Sequence, residues 1–338
     1  MTHTIGIFKD EIINIGPVQI SEISTMKTFL KIIFILFLLQ LSACTPDNFS
    51  LDEKIPNGAI VYTPEDISGK NVGFFEEGDS KPSLIWVKSY LSKFTWVESA
   101  RGFMAFSWHQ PVGGSAFVFW GPDKNTKTNL VNMCDQNFSL VAFNENEMSA
   151  YIQNYSKIAF IVFKDFSSPE KTETVIPYAK EMMAQMSFSY SGISYNPIDG
   201  CLYAGVVKDR LHYSATDQIM KYCPETGSWE DVTFGMEPEV SPDGRFLAFT
   251  RNTGLYLLDL NTFEEKRILH ADFSFHHGLL PSHPKWRLDG EKIVIHVWDS
   301  SDDSEKPIPK IVIIDVSSGE YTDTGMMGTY PSFKGIKQ

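Results

Sequence analysis

Apolar positions along this chain fall in short runs, not in helical stripes. Phe246-Leu247-Ala248-Phe249, Leu255-Tyr256-Leu257-Leu258, Ile293-Val294-Ile295 and Ile311-Val312-Ile313-Ile314 are each flanked by Gly, Pro, Asp, Asn or Ser. Short β-branched and aromatic runs between turn residues predict strands. The runs also recur in order. Pro238-Glu239-Val240-Ser241-Pro242-Asp243-Gly244-Arg245-Phe246 is followed by a second apolar run ending at Asp259, and Pro284-Lys285-Trp286-Arg287-Leu288-Asp289-Gly290-Glu291-Lys292 by one ending at Asp315. An earlier copy, Ser194-Tyr195-Asn196-Pro197-Ile198-Asp199-Gly200-Cys201, leads to a run ending at Cys223. Each copy predicts a strand, an Asp-Gly hairpin turn with positive φ angles, an apolar strand, a loop, a second apolar strand ending in a polar corner, and a short fourth strand.

Four antiparallel strands repeating every 40–50 residues or so describe a propeller blade. The motif Pro-x-Trp/Val-Ser/Arg-x-Asp-Gly resembles the repeat of TolB-like (PD40/WD40-like) β-propellers. The resemblance is best over 190–325, weak over 94–180, and absent as a motif before that. Proteins of this kind include translocation components, peptidase accessory domains and polysaccharide lyases, so the resemblance implies a fold more firmly than a function. Blades are expected near 94–133, 137–184, 186–234, 236–270 and 282–323. Tyr330-Pro331-Ser332-Phe333 begins a further copy that the chain does not finish, and strands near 59–62, 72–75 and 84–87 are expected to complete it. The expectation is an all-β, six-bladed propeller closed by strands from both ends, with seven blades as the alternative.

The most apolar segment lies elsewhere. Ile32 to Leu39 is uninterrupted but too short for a bilayer-spanning helix, which needs roughly 17–25 residues. Lys27 and Lys31 precede it and Leu41-Ser42-Ala43-Cys44 follows it, the layout of a cleaved export signal. Leu41–Cys44 resembles the lipobox of bacterial lipoproteins, which implies lipidation of Cys44 and membrane attachment through the lipid; an uncleaved signal anchor is the alternative. Thr45, where Asp would signal inner-membrane retention, implies the outer membrane, with the domain facing the periplasm or the cell surface. Residues 1–25 would bury the signal inside the chain, so Met26 is expected as the true start. The expected organisation is an export region at 1–43, a lipidated tether at 44–57 and the propeller at 58–338.

Composition refines this picture. The chain has 338 residues, 43% hydrophobic and 13% aromatic, with a formal charge of −13. Such acidity argues against nucleic acid, whose binding needs a basic surface. The segment 1–43 carries three Lys and three acids, so the charge belongs to the exported part. Six units of about 45 residues use nearly all of 44–338 and leave no room for a separate catalytic domain.

Export exposes cysteines to oxidising conditions. In a hairpin pivoting near Leu211-His212-Tyr213, Cys201 and Cys223 would face each other, making them candidates for a disulfide, with Cys134 free; both reduced is the alternative, and a slip of one residue would place them on opposite faces.

No Gly-x-Ser-x-Gly elbow, phosphate loop, His-Glu-x-x-His or clustered Cys-x-x-Cys is present. The strongest polar concentration is Phe275-His276-His277-Gly278-Leu279-Leu280-Pro281-Ser282-His283-Pro284, with the acidic loop Asp299-Ser300-Ser301-Asp302-Asp303. Propeller connectivity would bring His276, His277 and His283 to the same rim as Asp299, Asp302 and Asp303. Imidazole with carboxylate suits a divalent metal such as Zn, Mn or Ni, and His-Pro at an inner strand faintly resembles the oligogalacturonate lyase branch of this fold; the alternative is ordinary loop histidines and a solvated acidic loop. Trp86, Trp96, Trp108 and Trp120 lie in strand-like runs and are read as packing between blades rather than as sugar platforms. The leading functional expectation is a non-catalytic, lipid-anchored envelope propeller that binds a protein, peptide or glycan and needs no cofactor. The runner-up is a metal-assisted polysaccharide lyase or hydrolase, and a third reading is a structural envelope protein without a specific ligand.

Overall fold

A computed structural model describes residues 55–64, 71–86, 90–97, 102–109, 114–120, 127–133, 138–144, 149–154, 157–163, 171–176, 189–207, 217–252, 254–269, 281–299 and 308–335. These residues are all-β. Strands β1 (Ile60–Pro64), β2 (Asn71–Phe75) and β3 (Ser83–Trp86) come first. The next sheet contains β4 (Tyr90–Val97), β5 (Gly102–His109), β6 (Gly114–Trp120) and β7 (Lys127–Met133). It is followed by β8 (Phe138–Asn144), β9 (Ser149–Asn154), β10 (Lys157–Phe163) and β11 (Lys171–Ile176). Two more four-stranded sheets are β12 (Ser189–Tyr195), β13 (Leu202–Val207), β14 (Gln218–Cys223) and β15 (Ser228–Phe234), then β16 (Met236–Val240), β17 (Phe246–Arg251), β18 (Gly254–Asp259) and β19 (Glu265–Leu269). The chain ends in β20 (Pro281–Trp286), β21 (Lys292–Asp299), β22 (Ile308–Asp315) and β23 (Tyr321–Phe333).

Strand β23 belongs to two sets of partners. Its first half pairs with β22, and its second half pairs with β1, setting Ile60 opposite Phe333 and Val61 opposite Ser332. The order β20-β21-β22-β23-β1-β2-β3 therefore joins the two ends of the described chain in one sheet. The fourth strand of one repeat and the first of the next, expected as separate, are one continuous element. Gly325 and Tyr330, at φ 70° and 53°, let it bend between its two partners.

The Asp-Gly turns differ from the expectation in one respect. Gly200, Gly244 and Gly290 adopt positive φ, whereas the preceding aspartates do not. Each aspartate instead uses its carboxylate: Asp199 accepts the N–H of Cys201 at 3.0 Å, Asp243 that of Arg245 at 3.1 Å, and Asp289 that of Glu291 at 2.9 Å. This Asx turn is why aspartate recurs there. The polar corners work likewise. Asp315 Oδ1 accepts the N–H groups of Ser317 and Ser318, and the Ser317 hydroxyl bond is the first of the causes holding its carboxyl down to about 2.

Packing explains the uninterrupted apolar runs. The strands β13 and β14, β17 and β18, and β21 and β22 bury side chains on both faces, so alternation is lost. Leu247, Ala248 and Phe249 of β17 are all fully buried, while the outer strand β15 is largely exposed. Cys201, Tyr203 and Ile219 pack on Val240, Leu247 and Phe249; Leu255 and Leu257 pack on Ile293, Ile295 and Ile314. Ile60, Tyr62 and Phe75 meet Ile311 and Ile313, and Val61 and Val72 meet Phe94 and Phe103. The result is a loosely propeller-like succession of antiparallel sheets. Among the described residues no helix is long and apolar enough to cross a membrane.

Candidate functional site

The first strands of the repeats share an irregularity. Register shifts against the second strand fall at residues 93, 139, 191, 237 and 283, and a sixth against β1 at 330, roughly one repeat apart. Such bulges re-aim a side chain. In three of these strands the bulged residue precedes a proline and is non-glycine with a left-handed backbone: Glu237 at φ 51°, His283 at 55° and Tyr330 at 53°. A residue before proline normally avoids this region, so surrounding contacts must hold it there.

Those contacts run between residues one repeat apart. The N–H of His283 donates to Glu237 Oε2 at 2.9 Å, and its Nδ1 lies 3.4 Å from Oε1. Beside them Lys285 Nζ reaches Glu239 Oε1 at 2.7 Å, Trp286 Nε1 donates to the Glu239 carbonyl at 3.0 Å, and Val240 N–H donates to Ser194 Oγ at 2.9 Å. Burial pushes the Glu239 carboxyl up, and Lys285 opposes that shift.

His283 also stacks on His296 of β21, with ring centroids 5.1 Å apart and planes at 20°. The Tyr330 ring stands edge-on to both, 4.6 Å from His283 and 5.7 Å from His296. Burial lowers His296 to about 3, so it is neutral at physiological pH. Its Nδ1 makes no hydrogen bond among the described residues. Carboxylate, phenol and neutral imidazole thus converge where β16, β20, β21 and β23 meet. Such a set can donate and accept hydrogen bonds to a polar ligand while the rings supply apolar contact. Parallel stacked imidazoles do not aim their nitrogens at a common point, and among the described residues no three His, Cys, Asp or Glu side chains form a metal-binding group.

Of the residues singled out in the sequence, His283 lies in this cluster. Asp299 ends β21 opposite Ile308, its side chain outside the described set. Cys44, Cys134, His276, His277, Asp302 and Asp303 lie outside the described residues, as do the side chains of Trp86, Trp108 and Trp120. Trp96 packs against Phe103 and lies under the Lys334 ammonium. Cys201 and Cys223 are joined in a disulfide, Cα atoms 4.4 Å apart, next to the pairing of Leu202 with Tyr222. Sequence reading passed over Glu237, Tyr330 and His296. Aligning the repeats on the residue before proline finds the first two, and His296 is the one polar residue in the run Ile293-Val294-Ile295-His296-Val297.

No protein-family model matches the chain, and no curated protein matches it in sequence. Solved structures do match in fold. A putative TolB from Agrobacterium tumefaciens is similar at a TM-score of 0.52 and 14% identity, over 80% of this chain and 90% of that one. A nidogen/laminin complex gives 0.58 at 7% identity, over 82% and 98%. An oligogalacturonate lyase from Vibrio parahaemolyticus gives 0.48 at 11% identity, over 79% and 74%. At such identities the likeness concerns the fold alone, which is similar to that of TolB-like propellers.

Proposed function

We propose that this chain is a lipid-anchored envelope protein whose six-bladed propeller binds a protein, peptide or glycan partner at its axial mouth. In this reading 1–43 is the export region with Met26 as the start, Cys44 carries the lipid, 44–57 is a tether, and 58–338 is the propeller, held at the outer membrane. The observation that carries it is the convergence of Glu237, His283 and Tyr330, each held on a strained bulge of a successive inner strand. Strain of this kind persists where it presents a side chain for use. Four four-stranded sheets follow one another among the described residues, and reading the seven-stranded sheet as two blades that share β23 brings the count to six.

A non-catalytic role suits the chemistry better than a metal-assisted lyase. The cluster offers hydrogen-bond donors and acceptors, and its two imidazoles stack on each other in nearly parallel planes, which does not aim their nitrogens at a common point. The test is affinity capture from envelope extracts with the wild-type chain and with Glu237→Gln and His283→Ala. The expected result is a partner retained by the wild type and lost by both variants at unchanged melting temperature. Retention of the same partner by both variants would overturn the axial assignment, and turnover of acidic oligosaccharides abolished by chelator would overturn the non-catalytic one.

A further inference from the structure

A second recessed site lies away from the axial cluster, between the sheet of β8–β11 and that of β12–β15. It is a cavity of about 410 Å³ walled by Tyr151, Phe160, Tyr195, Tyr222 and Val175, with Asp199 and Glu225 on its border. Its construction follows from the repeat. The first sheet contributes the face of β9 to β11. The second contributes the Asp-Gly turn and the corner after β14, two connections that emerge on the same edge of their sheet.

Tyr151 and Tyr222 are almost wholly buried, and Tyr151 packs against both Phe160 and Tyr195 at centroid distances of 4.8 and 6.0 Å, so the wall is a set of rings in mutual contact. Val175 is the contrast: 51% exposed on β11, an apolar side chain beside an aromatic wall. The corner is held as well. Its residue Pro224 has no N–H, whereas at the equivalent corners Leu260 and Val316 donate theirs to the carbonyls of Arg245 and Glu291. The Cys201–Cys223 disulfide makes the tie that Pro224 cannot, fixing Glu225 next to the cavity.

Among the described lining residues the side chains charged at neutral pH, Asp199 and Glu225, are both acids. Asp199 is already engaged, by Lys221 at 2.9 Å and the Tyr203 hydroxyl at 3.1 Å, whereas Glu225 is exposed and makes no ion pair among the described residues. Aromatic walls with a spare carboxylate match a side chain that has an apolar stem and a cationic head. Strand β11 ends the strand order of its sheet, and no further strand pairs with its outer edge among the described residues. An extended segment can add there and drop alternate side chains inward.

We infer that this cavity binds an extended basic peptide, which lies along β11 with a Lys or Arg stem against the rings and its head at Glu225. The inference does not rest on the axial site, since the two share no residue. The experiment is fluorescence anisotropy of the full chain with a fluorescein-labelled Ala-Val-Arg-Val-Ala amide, beside the same peptide with citrulline in place of arginine. Glu225→Gln and Val175→Arg alter exposed side chains and leave the fold intact. The expected result is saturable binding of the arginine peptide, about tenfold weaker for the citrulline peptide and for Glu225→Gln, and abolished by Val175→Arg. Equal binding of both peptides, unchanged binding by both variants, no binding at millimolar peptide, or displacement of the probe by a neutral hexasaccharide would each overturn the proposal.

Discussion

The sheet of β16–β19 and the sheet formed by β23 with β1–β3 have the same strand pattern but are assembled differently. The first is contiguous in sequence, each strand paired with the next through a short connection. The second is stitched from both ends. Lys334 donates its N–H to the carbonyl of Ala59 at 2.8 Å, and its ammonium, nearly inaccessible to solvent, donates to the carbonyl of Ile55 at 2.5 Å. Tyr62 is equally buried at this seam, its ring lying over Gly73 on one neighbour and Gly328 on the other, where a Cβ would come within 2.5 Å. Local turn chemistry can hold the contiguous sheet together. The stitched sheet depends on contacts that form only when the ends of the chain meet, which carry a larger loop-closure entropy.

That contrast orders the expected effects. Deleting 330–338 removes Phe333, Lys334 and the partners of Ile60 and Val61 on β1, and should cost at least about 4 kcal/mol or abolish cooperative unfolding; circular dichroism melting would show it, and an unchanged transition would mean that this part of the seam contributes nothing. Within contiguous sheets, changing Cys201 and Cys223 together to Ser should cost about 2–4 kcal/mol. The equivalent tie in the next sheet, the ion pair Arg245–Asp259, should matter far less, Arg245→Ala leaving the urea midpoint nearly unchanged. Urea midpoints compare the two.

His296 contributes a pH dependence of defined sign. Its folded pKa lies near 3 against 6.5 for the free side chain, so the unfolded chain takes up a proton that the folded one refuses. Its contribution is complete above pH 6.5 and is lost as pH falls toward 3, by up to about 1.4 kcal/mol per pH unit. Glu239, raised by burial, acts oppositely just above 4.5, so the His296→Phe variant, not the raw profile, isolates the histidine. The smallest effect belongs to Phe263, 65% exposed at φ 59° where the other corners have Gly227 and Gly319. Phe263→Gly should stabilise by about 1 kcal/mol, read as a small rise in melting temperature.

The same comparison shows what the sequence made legible. Where Asp-Gly turns and corner aspartates do hydrogen-bonding work, over 190–325, the repeat is written in residue identity. Sheets β4–β7 and β8–β11 have the same four strands and a bulge at the same place, at 93 and 139, without the motif. A bulge needs only an extra residue, and pairing needs only apolar runs, so those sheets leave periodicity without signature. The stitched sheet was readable because Tyr330-Pro331-Ser332-Phe333 repeats the start of a unit and the strands near 59–62, 72–75 and 84–87 lack such a start of their own. The candidate site was half readable. His283 stands out as a histidine before proline, but its partners come from β16, β21 and β23, and only register brings them together.

The seam between the chain ends is the premise on which a closed ring and its axial mouth depend, and a cysteine pair placed across it tests it most directly. Val61 and Ser332 are buried and directly opposite. In Val61→Cys/Ser332→Cys, mild oxidation of the folded chain should join the two in a disulfide found by peptide mapping, with a raised urea midpoint. Thiols that both remain free and reactive in the folded protein would contradict the stitched sheet.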